Sequence, residues 1–292
     1  MSSKINKQNI IKDKRLNSKK KLFLYSNLNK NLFKRMLLKI LTSKFFANLI
    51  SFYFKSFFSK IHILKIVKKN NIDLNLFKKT KFSSYNDFFI REYKKISFSR
   101  KRTIFISPCE GLISIYPISN NSFYTVKNTK YHISDLLRND ELSKEYTNGY
   151  IVIFRLRPSD YHRYIFIDNG ITISKTYKIR GRLHTIRPIA FKYFNVFKEN
   201  SREYTILQTK NFDKVIQIEV GALCVGKINN YKIEKFAKGQ EKGFFSFGGS
   251  TVILLVKKGI VYFDEYILKN TLLNKDTEIK IGQKIGTKNF II

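Results

Sequence analysis

The stretch from Gly239 to Val256 contains the feature that most restricts how this chain can fold: Gly248 and Gly249 stand directly before Ser250. Glycine adopts backbone conformations that other residues avoid and lets neighbouring groups approach the main chain closely. The run from Thr251 to Val256 is β-branched and aliphatic, which predicts a buried strand with Ser250 at its entrance. One interpretation is structural, a bulge or tight bend where the chain enters the strand. The other is chemical, because a serine hydroxyl held against the preceding carbonyl can attack it.

The second half of the chain has the pattern of a β domain. Beyond Thr103 the hydrophobic period is close to two, and turn signals such as Asn148-Gly149 and Asp168-Asn169-Gly170 separate the apolar runs. We therefore predict a mainly antiparallel β domain over residues 103–292. Its predicted strands include Tyr150–Leu156, Ile165–Tyr177, Tyr204–Gln208, Val215–Val225, Thr251–Val256, Val261–Phe263 and Glu278–Ile281.

The first hundred residues have a different pattern. Residues 1–21 form a polar, basic tail, and residues 22–102 are predicted to be helical, basic and membrane-associating. One apolar helix face is formed by Phe33, Met36, Leu37, Ile40 and Leu41. A second apolar block runs over 45–58, a short helix is predicted over 61–77, and 94–102 is a basic, solvated connector. The predicted fold class is therefore α+β, a helical N-terminal region followed by the antiparallel β domain.

Two arrangements of the helical region remain open. No window reaches the ~18–20 uninterrupted apolar residues of a membrane-spanning helix. The helices could pack on the protein as a hairpin. They could also lie in a membrane interface, with aromatic side chains in lipid and lysines against anionic headgroups.

The net charge of +35 has two possible origins. Nucleic acid and anionic membrane are the partners that such a charge attracts. Coding bias is the alternative, because the chain is rich in Lys, Asn, Ile and Phe and has no Trp. The net charge alone therefore does not indicate a function. The two cysteines, Cys109 and Cys224, are too few and too far apart for a disulfide framework or a structural zinc site, which favours reducing, intracellular surroundings.

The longer string around Ser250 resembles the self-cleavage site of phosphatidylserine decarboxylase proenzymes, which commonly reads Lys-Gly-x-Glu-x-Gly-x-Phe-x-Phe-Gly-Gly-Ser-Thr. Five further blocks resemble the same family in the same order. They are Tyr85-Asn86-Asp87-Phe88-Phe89-Ile90-Arg91, Ser107-Pro108-Cys109-Glu110-Gly111, Arg155-Leu156-Arg157-Pro158-Ser159-Asp160-Tyr161-His162-Arg163, Leu183-His184-Thr185-Ile186-Arg187-Pro188-Ile189 and Glu219-Val220-Gly221-Ala222-Leu223-Cys224-Val225-Gly226.

The resemblance implies a self-processing enzyme. Ser250 Oγ would attack the carbonyl of Gly249, and the chain would break between Gly249 and Ser250. Ser250 would become a covalent pyruvoyl group, whose ketone serves as the electron sink when phosphatidylserine loses CO2 and becomes phosphatidylethanolamine. The two cleaved chains would stay together as an αβ heterodimer. The partner would be the anionic membrane lipid, with no nucleic acid, no metal and no added cofactor, and the enzyme would sit peripherally on the cytoplasmic side of the cell membrane.

The chain departs from the family pattern at two positions of the Asp-His-Ser relay that activates the serine. Glu110 stands in place of the aspartate, and Ile165 stands where the family commonly has the relay histidine. His162 is retained, and relatives use this histidine in the decarboxylation step. It could replace the missing base only if a bulge or a turn redirected it, because residues three apart on a strand point to opposite faces. His132 and His184 are the other histidines of the β region and are interpreted as structural.

Two alternatives to the active enzyme remain. The first is a degenerate family member that keeps the fold and lipid binding but does not cleave itself, as the two relay substitutions suggest. The second is a basic nucleic-acid-binding protein. The sequence contains no helix-turn-helix, zinc-finger or RNP-type motif for that function, and nucleic-acid binding would leave the Gly-Gly-Ser string unexplained.

Overall fold

The computed structural model describes residues 32–126, 129–184, 194–222, 227–248 and 250–290. The predicted tail 1–21, Cys224 and Gly249 lie outside these residues, as do the C-terminal parts of the His184 and Gly221 motifs. Cys109, within them, is an unpaired and buried thiol.

The described helices are concentrated before the sheets, with short ones between strands. They are α1 (Leu32–Leu41), α2 (Lys44–Lys55), α3 (Ile61–Asn70), α4 (Tyr85–Phe89), α5 (Ile133–Leu137), α6 (Asp140–Lys144), α7 (Val196–Glu199) and α8 (Glu265–Leu272), with 3-10 turns at Phe57–Lys60 and Leu74–Leu76. The helix predicted over 61–77 ends early, because Asn71 adopts a left-handed conformation with φ of 50° and caps α3.

The strands occupy most of the chain beyond Thr103. They are β1 (Ile104–Ile106), β2 (Gly111–Pro117), β3 (Phe123–Val126), β4 (Thr129–His132), β5 (Tyr150–Leu156), β6 (Arg163–Ile165), β7 (Gly170–Thr172), β8 (Tyr177–Ile179), β9 (Arg202–Thr209), β10 (Lys214–Gly221), β11 (Ile228–Asn230), β12 (Lys235–Phe236), β13 (Glu241–Phe245), β14 (Ser250–Val256), β15 (Val261–Phe263), β16 (Thr277–Ile279) and β17 (Lys284–Lys288). Every pairing between these strands is antiparallel, which confirms the predicted fold class.

Strand β14 lies near the middle of the largest sheet, whose order is β12-β7-β9-β10-β14-β5-β2-β16 with β8 also paired to β9. All seven residues of β14 are buried, as expected for an apolar run covered on both faces. Smaller sheets form from β1-β17-β15 and β11-β13-β6, and β3 pairs with β4. The β6–β13 pair contains a bulge between Glu241 and Gly243, beside the segment that leads to Ser250.

One of the strand predictions differs from the structure in a way that changes the sheet topology. Tyr150–Leu156 and Val261–Phe263 are confirmed at their bounds. The run predicted as one strand over 165–177 is instead three short strands, β6, β7 and β8, because the Asp168-Asn169-Gly170 turn and the segment after Thr172 interrupt it. This break puts β6 in the sheet of β13 and puts β7 beside β9.

One hydrophobic core joins the helical region to the sheets. Leu38 and Ile63 of the first helices belong to the same buried cluster as Phe88, Phe89 and the strands of the large sheet. In the predicted connector over 94–102, Ile96 and Phe98 pack against this cluster, while Lys94 and Lys95 are exposed. The division into a domain at 22–102 and another at 103–292 stays a prediction.

Helices α1 and α2 expose most of their large apolar side chains. The predicted apolar face of α1 is only partly covered by protein: Phe33, Met36 and Ile40 are exposed, Leu37 and Leu41 are half-buried, and the buried residue of the helix is Leu38. Across the described residues, no single helix is both long and apolar enough to span a bilayer. Segments 32–41 and 45–55, which meet at a 55° bend, satisfy that test of length and composition only when taken together.

Candidate functional site

Ser250 lies in a row of residues that crosses the end of the large sheet. As the first residue of β14, it pairs with Leu156, the last residue of β5, on one side and with Gly221, the last residue of β10, on the other. Gly111, the first residue of β2, lies beyond Leu156, and a Cβ there would come within 3.4 Å of the Cα of Leu156. The ends of four strands therefore meet around Ser250, and the loops that leave them carry the predicted site residues.

The hydroxyl of Ser250 is fully buried and has no hydrogen-bond partner among the residues that the structure describes. A buried polar group without a partner costs about 1–3 kcal/mol, so such groups are rare and commonly functional. Gly248, two residues earlier, adopts a φ of 139°, which favours glycine over other residues. The carbonyl that Ser250 would attack belongs to Gly249, outside the described residues.

Helix α4 holds the segment that leads to Ser250. The helix begins at the Ser84 cap, whose hydroxyl accepts a hydrogen bond from Asp87 N at 3.1 Å. The main-chain N–H of Phe247 donates a hydrogen bond to Asn86 Oδ1 at 3.1 Å. The Phe247 ring also lies 3.7 Å from the Phe54 ring of α2 and 5.4 Å from the Phe89 ring, centroid to centroid.

His162 occupies the loop between β5 and β6 and is completely buried. Its imidazole stacks on Phe89 with 3.7 Å between ring centroids, and its Nδ1 lies 2.9 Å from the carbonyl oxygen of Asp160. A carbonyl only accepts, so Nδ1 carries the proton of this hydrogen bond. Burial, reinforced by the positive charge of Arg91, holds the pKa of His162 well below its ordinary value of 6.5. The imidazole is therefore neutral near pH 7, and its Nε2 is an unprotonated, buried acceptor to which no group in the described ranges donates a hydrogen bond.

Two arginine contacts fix the loop that presents His162. The side chain of Asp160 accepts hydrogen bonds from the main-chain N–H and the guanidinium of Arg157. The buried guanidinium of Arg91 donates to the carbonyl oxygens of Ser159 and Asp160 at 2.7 and 3.0 Å. The carbonyl that orients the imidazole is thereby held in place by the arginine of the Phe-Phe-x-Arg motif.

Glu110 is close to the site but is not bonded to a histidine in the described part of the chain. Its carboxylate accepts a hydrogen bond from the Tyr93 hydroxyl at 3.1 Å and lies 3.3 Å from Lys280 Nζ. Ile165 is fully buried in the core, where the family pattern would place the relay base. Its main-chain N–H donates to the carbonyl of Pro108, two residues before Glu110. The structure therefore places positions 110 and 165 on adjacent segments but contains no Glu110–His–Ser250 chain of hydrogen bonds.

The other two histidines of the β region lie away from this arrangement. His132 is exposed at the end of the β3–β4 hairpin. His184 is buried, stacks on Phe194 and lies 3.3 Å from a Glu199 carboxylate oxygen, Nε2 to Oε2.

The roles of Asn86, Arg91 and Asp160 were not identified by the sequence analysis. All three lie in the quoted motifs, and that is the signal that could have found them. The contact of Arg91 with Asp160 and that of Asn86 with Phe247 join residues about 70 and 160 positions apart along the chain, so local patterns do not reveal them.

The arrangement has the groups that nucleophilic chemistry requires. A buried hydroxyl at a strand end, a neutral imidazole with a free acceptor nitrogen and an anchored glycine-rich segment lie at the same end of the sheet. Ser250 Oγ and His162 Nε2 are not hydrogen-bonded to each other, since each lacks a partner.

Comparison with known proteins identifies the family of the chain. The family model described as phosphatidylserine decarboxylase matches residues 85–287. Phosphatidylserine decarboxylase proenzyme 2 of Clostridium acetobutylicum is 42% identical over 270 residues, which cover 91% of each chain. The phosphatidylserine decarboxylase proenzyme of Clostridium tetani is 42% identical over 279 residues, again 91% of each chain. The Clostridium botulinum (strain 657) proenzyme is 42% identical over 84% of this chain and 85% of its own. The chain belongs to the phosphatidylserine decarboxylase family.

Proposed function

We propose that this chain is a phosphatidylserine decarboxylase that makes its own catalytic group from Ser250. The observation that carries the proposal is the buried, unpartnered hydroxyl of Ser250 at the start of the central strand β14, directly after a glycine pair. Relatives with the name proenzyme match the chain over most of its length, which supports a chain that matures by cleavage.

Maturation begins when Ser250 Oγ adds to the carbonyl carbon of Gly249 and His162 Nε2 accepts the hydroxyl proton. The C–N bond of that peptide breaks as nitrogen takes the proton, and an ester joins Gly249 to the Ser250 side chain. Loss of the Ser250 α-proton then expels the Gly249 carboxylate and leaves an unsaturated residue. Addition of water with release of ammonia converts that residue to a pyruvoyl group.

The pyruvoyl group supplies a ketone that acts as the electron sink for loss of CO2 from the serine headgroup. The chain's own residues position this chemistry. Arg91 and Asp160 orient the imidazole of His162, and the Phe89 ring beneath it excludes water. The neutral imidazole can return a proton to the carbon that lost CO2 once it has accepted one during the reaction.

The small chain produced by cleavage would stay in the sheet. Strand β14 pairs along its length with β5 and over six residues with β10, and all of its residues are buried. Those hydrogen bonds and that apolar burial do not depend on the peptide bond between Gly249 and Ser250. We therefore expect an αβ heterodimer without a covalent link.

The first two helices support a peripheral position on an anionic membrane. Phe45, Leu49 and Phe52 follow one another on one side of α2 and are 79, 58 and 78% exposed. In the sequence Lys44 precedes this row and Lys55 follows it, and an apolar row flanked by cations suits a lipid interface with phosphatidylserine better than a nucleic-acid surface. The free thiol of Cys109 is compatible with the reducing, cytoplasmic side.

The test is phosphatidylethanolamine production by the purified chain from phosphatidylserine in neutral detergent micelles. The expected result is conversion by the wild type and none by Ser250→Ala, which lacks the attacking oxygen. Wild-type protein without activity after long incubation would contradict the proposal.

The degenerate, non-cleaving family member is the second candidate. Glu110 bonds to Tyr93 instead of a histidine, and Ile165 occupies the relay position, which is what a lost relay would look like. Such a protein would bind phosphatidylserine vesicles and leave the lipid unchanged. Flotation on vesicles combined with the product assay separates the two candidates.

A further inference from the structure

Two neighbouring cavities form one groove between helix α2 and the edge of the sheets. The first, of about 300 Å³, and the second, of about 630 Å³, share two lining residues, Asn48 on α2 and Lys227 before β11. We name this groove the α2 groove.

The α2 groove reaches the residues around Ser250. Gly221, which lines the first cavity, pairs directly with Ser250 in the sheet. Ser246, which lines the second, lies in the segment that leads to Ser250, and its main-chain N–H donates to the carbonyl of Lys227 at 2.9 Å. The groove thus connects the rim of α2 to the strand end where maturation takes place.

The walls of the α2 groove are positively charged. Lys55, Lys178, Arg180 and Lys227 line it, and all four are exposed. Glu203 is the lining carboxylate, and it is already paired with Lys178 at 3.0 Å. Among the described residues, no carboxylate pairs with the other three cations. These cations are therefore available to an anion that enters the groove.

Helix α2 relates this groove to a lipid surface. Its Phe52 lines the second cavity and is also part of the exposed apolar row. A phospholipid held in a membrane against that row would have its acyl chains outside the groove and its headgroup at the rim. The anionic group nearest the acyl chains is the phosphodiester.

We propose that the α2 groove binds the phosphodiester of the substrate lipid, with Lys227 as its principal ligand and Arg180 as the second. Arg180 offers a planar fork and Lys227 a point charge, and both are common phosphate ligands. A phosphate held at Lys227 leaves the short serine headgroup directed toward Gly221 and Ser250. This inference rests on the proposed function and adds the subsite that recognises the lipid headgroup.

The experiment measures the decarboxylation kinetics of Lys227→Gln, Arg180→Gln and the double variant in neutral detergent micelles containing phosphatidylserine. The matched control is Lys258→Gln, which removes the same charge beyond the far end of β14. The expected result is an apparent KM about fivefold higher for Lys227→Gln and at least about tenfold higher for the double variant, with a much smaller change in kcat. Lys227→Arg should recover most of the loss, and Lys258→Gln should match the wild type.

A general loss of membrane attraction is measured separately by flotation on vesicles of oleic acid and glycerol monooleate, which are anionic but contain no phosphodiester. Lys227→Gln and Lys258→Gln should float equally well if the Lys227 effect belongs to the headgroup subsite. If the wild type is active and mature, an unchanged KM in the double variant would overturn the proposed headgroup subsite but not the proposed function. An inactive wild type would overturn the proposed function and the subsite together.

Discussion

The main-chain N–H of Ile165 donates a hydrogen bond to the carbonyl oxygen of Pro108, 2.9 Å away. This bond aligns the segment that carries Glu110 with the strand β6 that follows His162. The family's relay residues would therefore be neighbours in this fold, although the side chains found here do not form a relay.

Ile165→His should accelerate maturation. The substituted side chain would lie beside the Glu110 segment, and a positioned general base typically contributes a factor of about 10²–10⁴. We expect at least about a tenfold faster appearance of the two chains on denaturing gels, and a further gain with Glu110→Asp. Ile165→Leu is the control for core packing and should mature as the wild type does. Equal rates for the wild type, Ile165→His and Ile165→Leu would show that position 165 has no part in maturation.

Maturation should depend little on pH between 8 and 6. The lowered pKa of His162 means that its imidazole is still neutral at pH 6, whereas a histidine of ordinary pKa 6.5 would be about three-quarters protonated there. Cell-free translated chain, transferred to buffers at the two pH values, gives the rates. A roughly fourfold slower reaction at pH 6 would indicate a base with an ordinary pKa and would contradict the role given to His162.

Asn86→Ala should slow maturation several-fold, because it removes the acceptor for the Phe247 N–H and releases the segment before Ser250. The loss of this hydrogen bond should also cost about 0.5–1.5 kcal/mol of unfolding free energy. Asn86→Asp keeps an acceptor at the same position and should mature at nearly the wild-type rate. Gel time courses of the three proteins check the order; an alanine variant as fast as the aspartate variant would contradict the anchoring role.

Glu219 and Lys242 form a buried ion pair, 2.9 Å from Oε1 to Nζ, that ties β10 to β13. Both side chains are almost inaccessible to water, and burial raises the pKa of Glu219 although Lys242 opposes the shift. Glu219→Gln leaves the ammonium buried without its counter-charge and should lower the unfolding free energy by about 3–5 kcal/mol.

Urea denaturation in a Ser250→Ala background checks this prediction, because a chain that stays whole unfolds as one species. The double variant Glu219→Gln, Lys242→Met removes both charges and should be more stable than Glu219→Gln alone. A double variant less stable than the single one would mean that the pair contributes through packing and not through its charges.

Local patterns were sufficient to predict two strands at their bounds and to identify Ser250 as the candidate reactive residue. Tyr150–Leu156 and Val261–Phe263 have the β-branched and aromatic runs of buried strands, and the glycine pair singled out Ser250. Hydrophobic periodicity could not show what an apolar helix face packs against. Phe33 and Met36 were correctly placed on an apolar face of a helix, yet both side chains are exposed.

The environment of His162 could not be predicted from the sequence. A pattern shows that a histidine is present, but its tautomer and its pKa depend on the Asp160 carbonyl, the Phe89 ring and the charge of Arg91. These contacts form only when the β5–β6 loop packs on α4. The sequence likewise identified Glu110 but could not show that its carboxylate bonds to Tyr93.

The most direct test of the central claim is the intact mass of the purified, fully incubated protein under denaturing conditions. The account predicts two chains that separate between Gly249 and Ser250, the smaller of them ending at Ile292 and starting with a pyruvoyl group that blocks N-terminal sequencing. A single full-length chain with an unmodified Ser250 would contradict it.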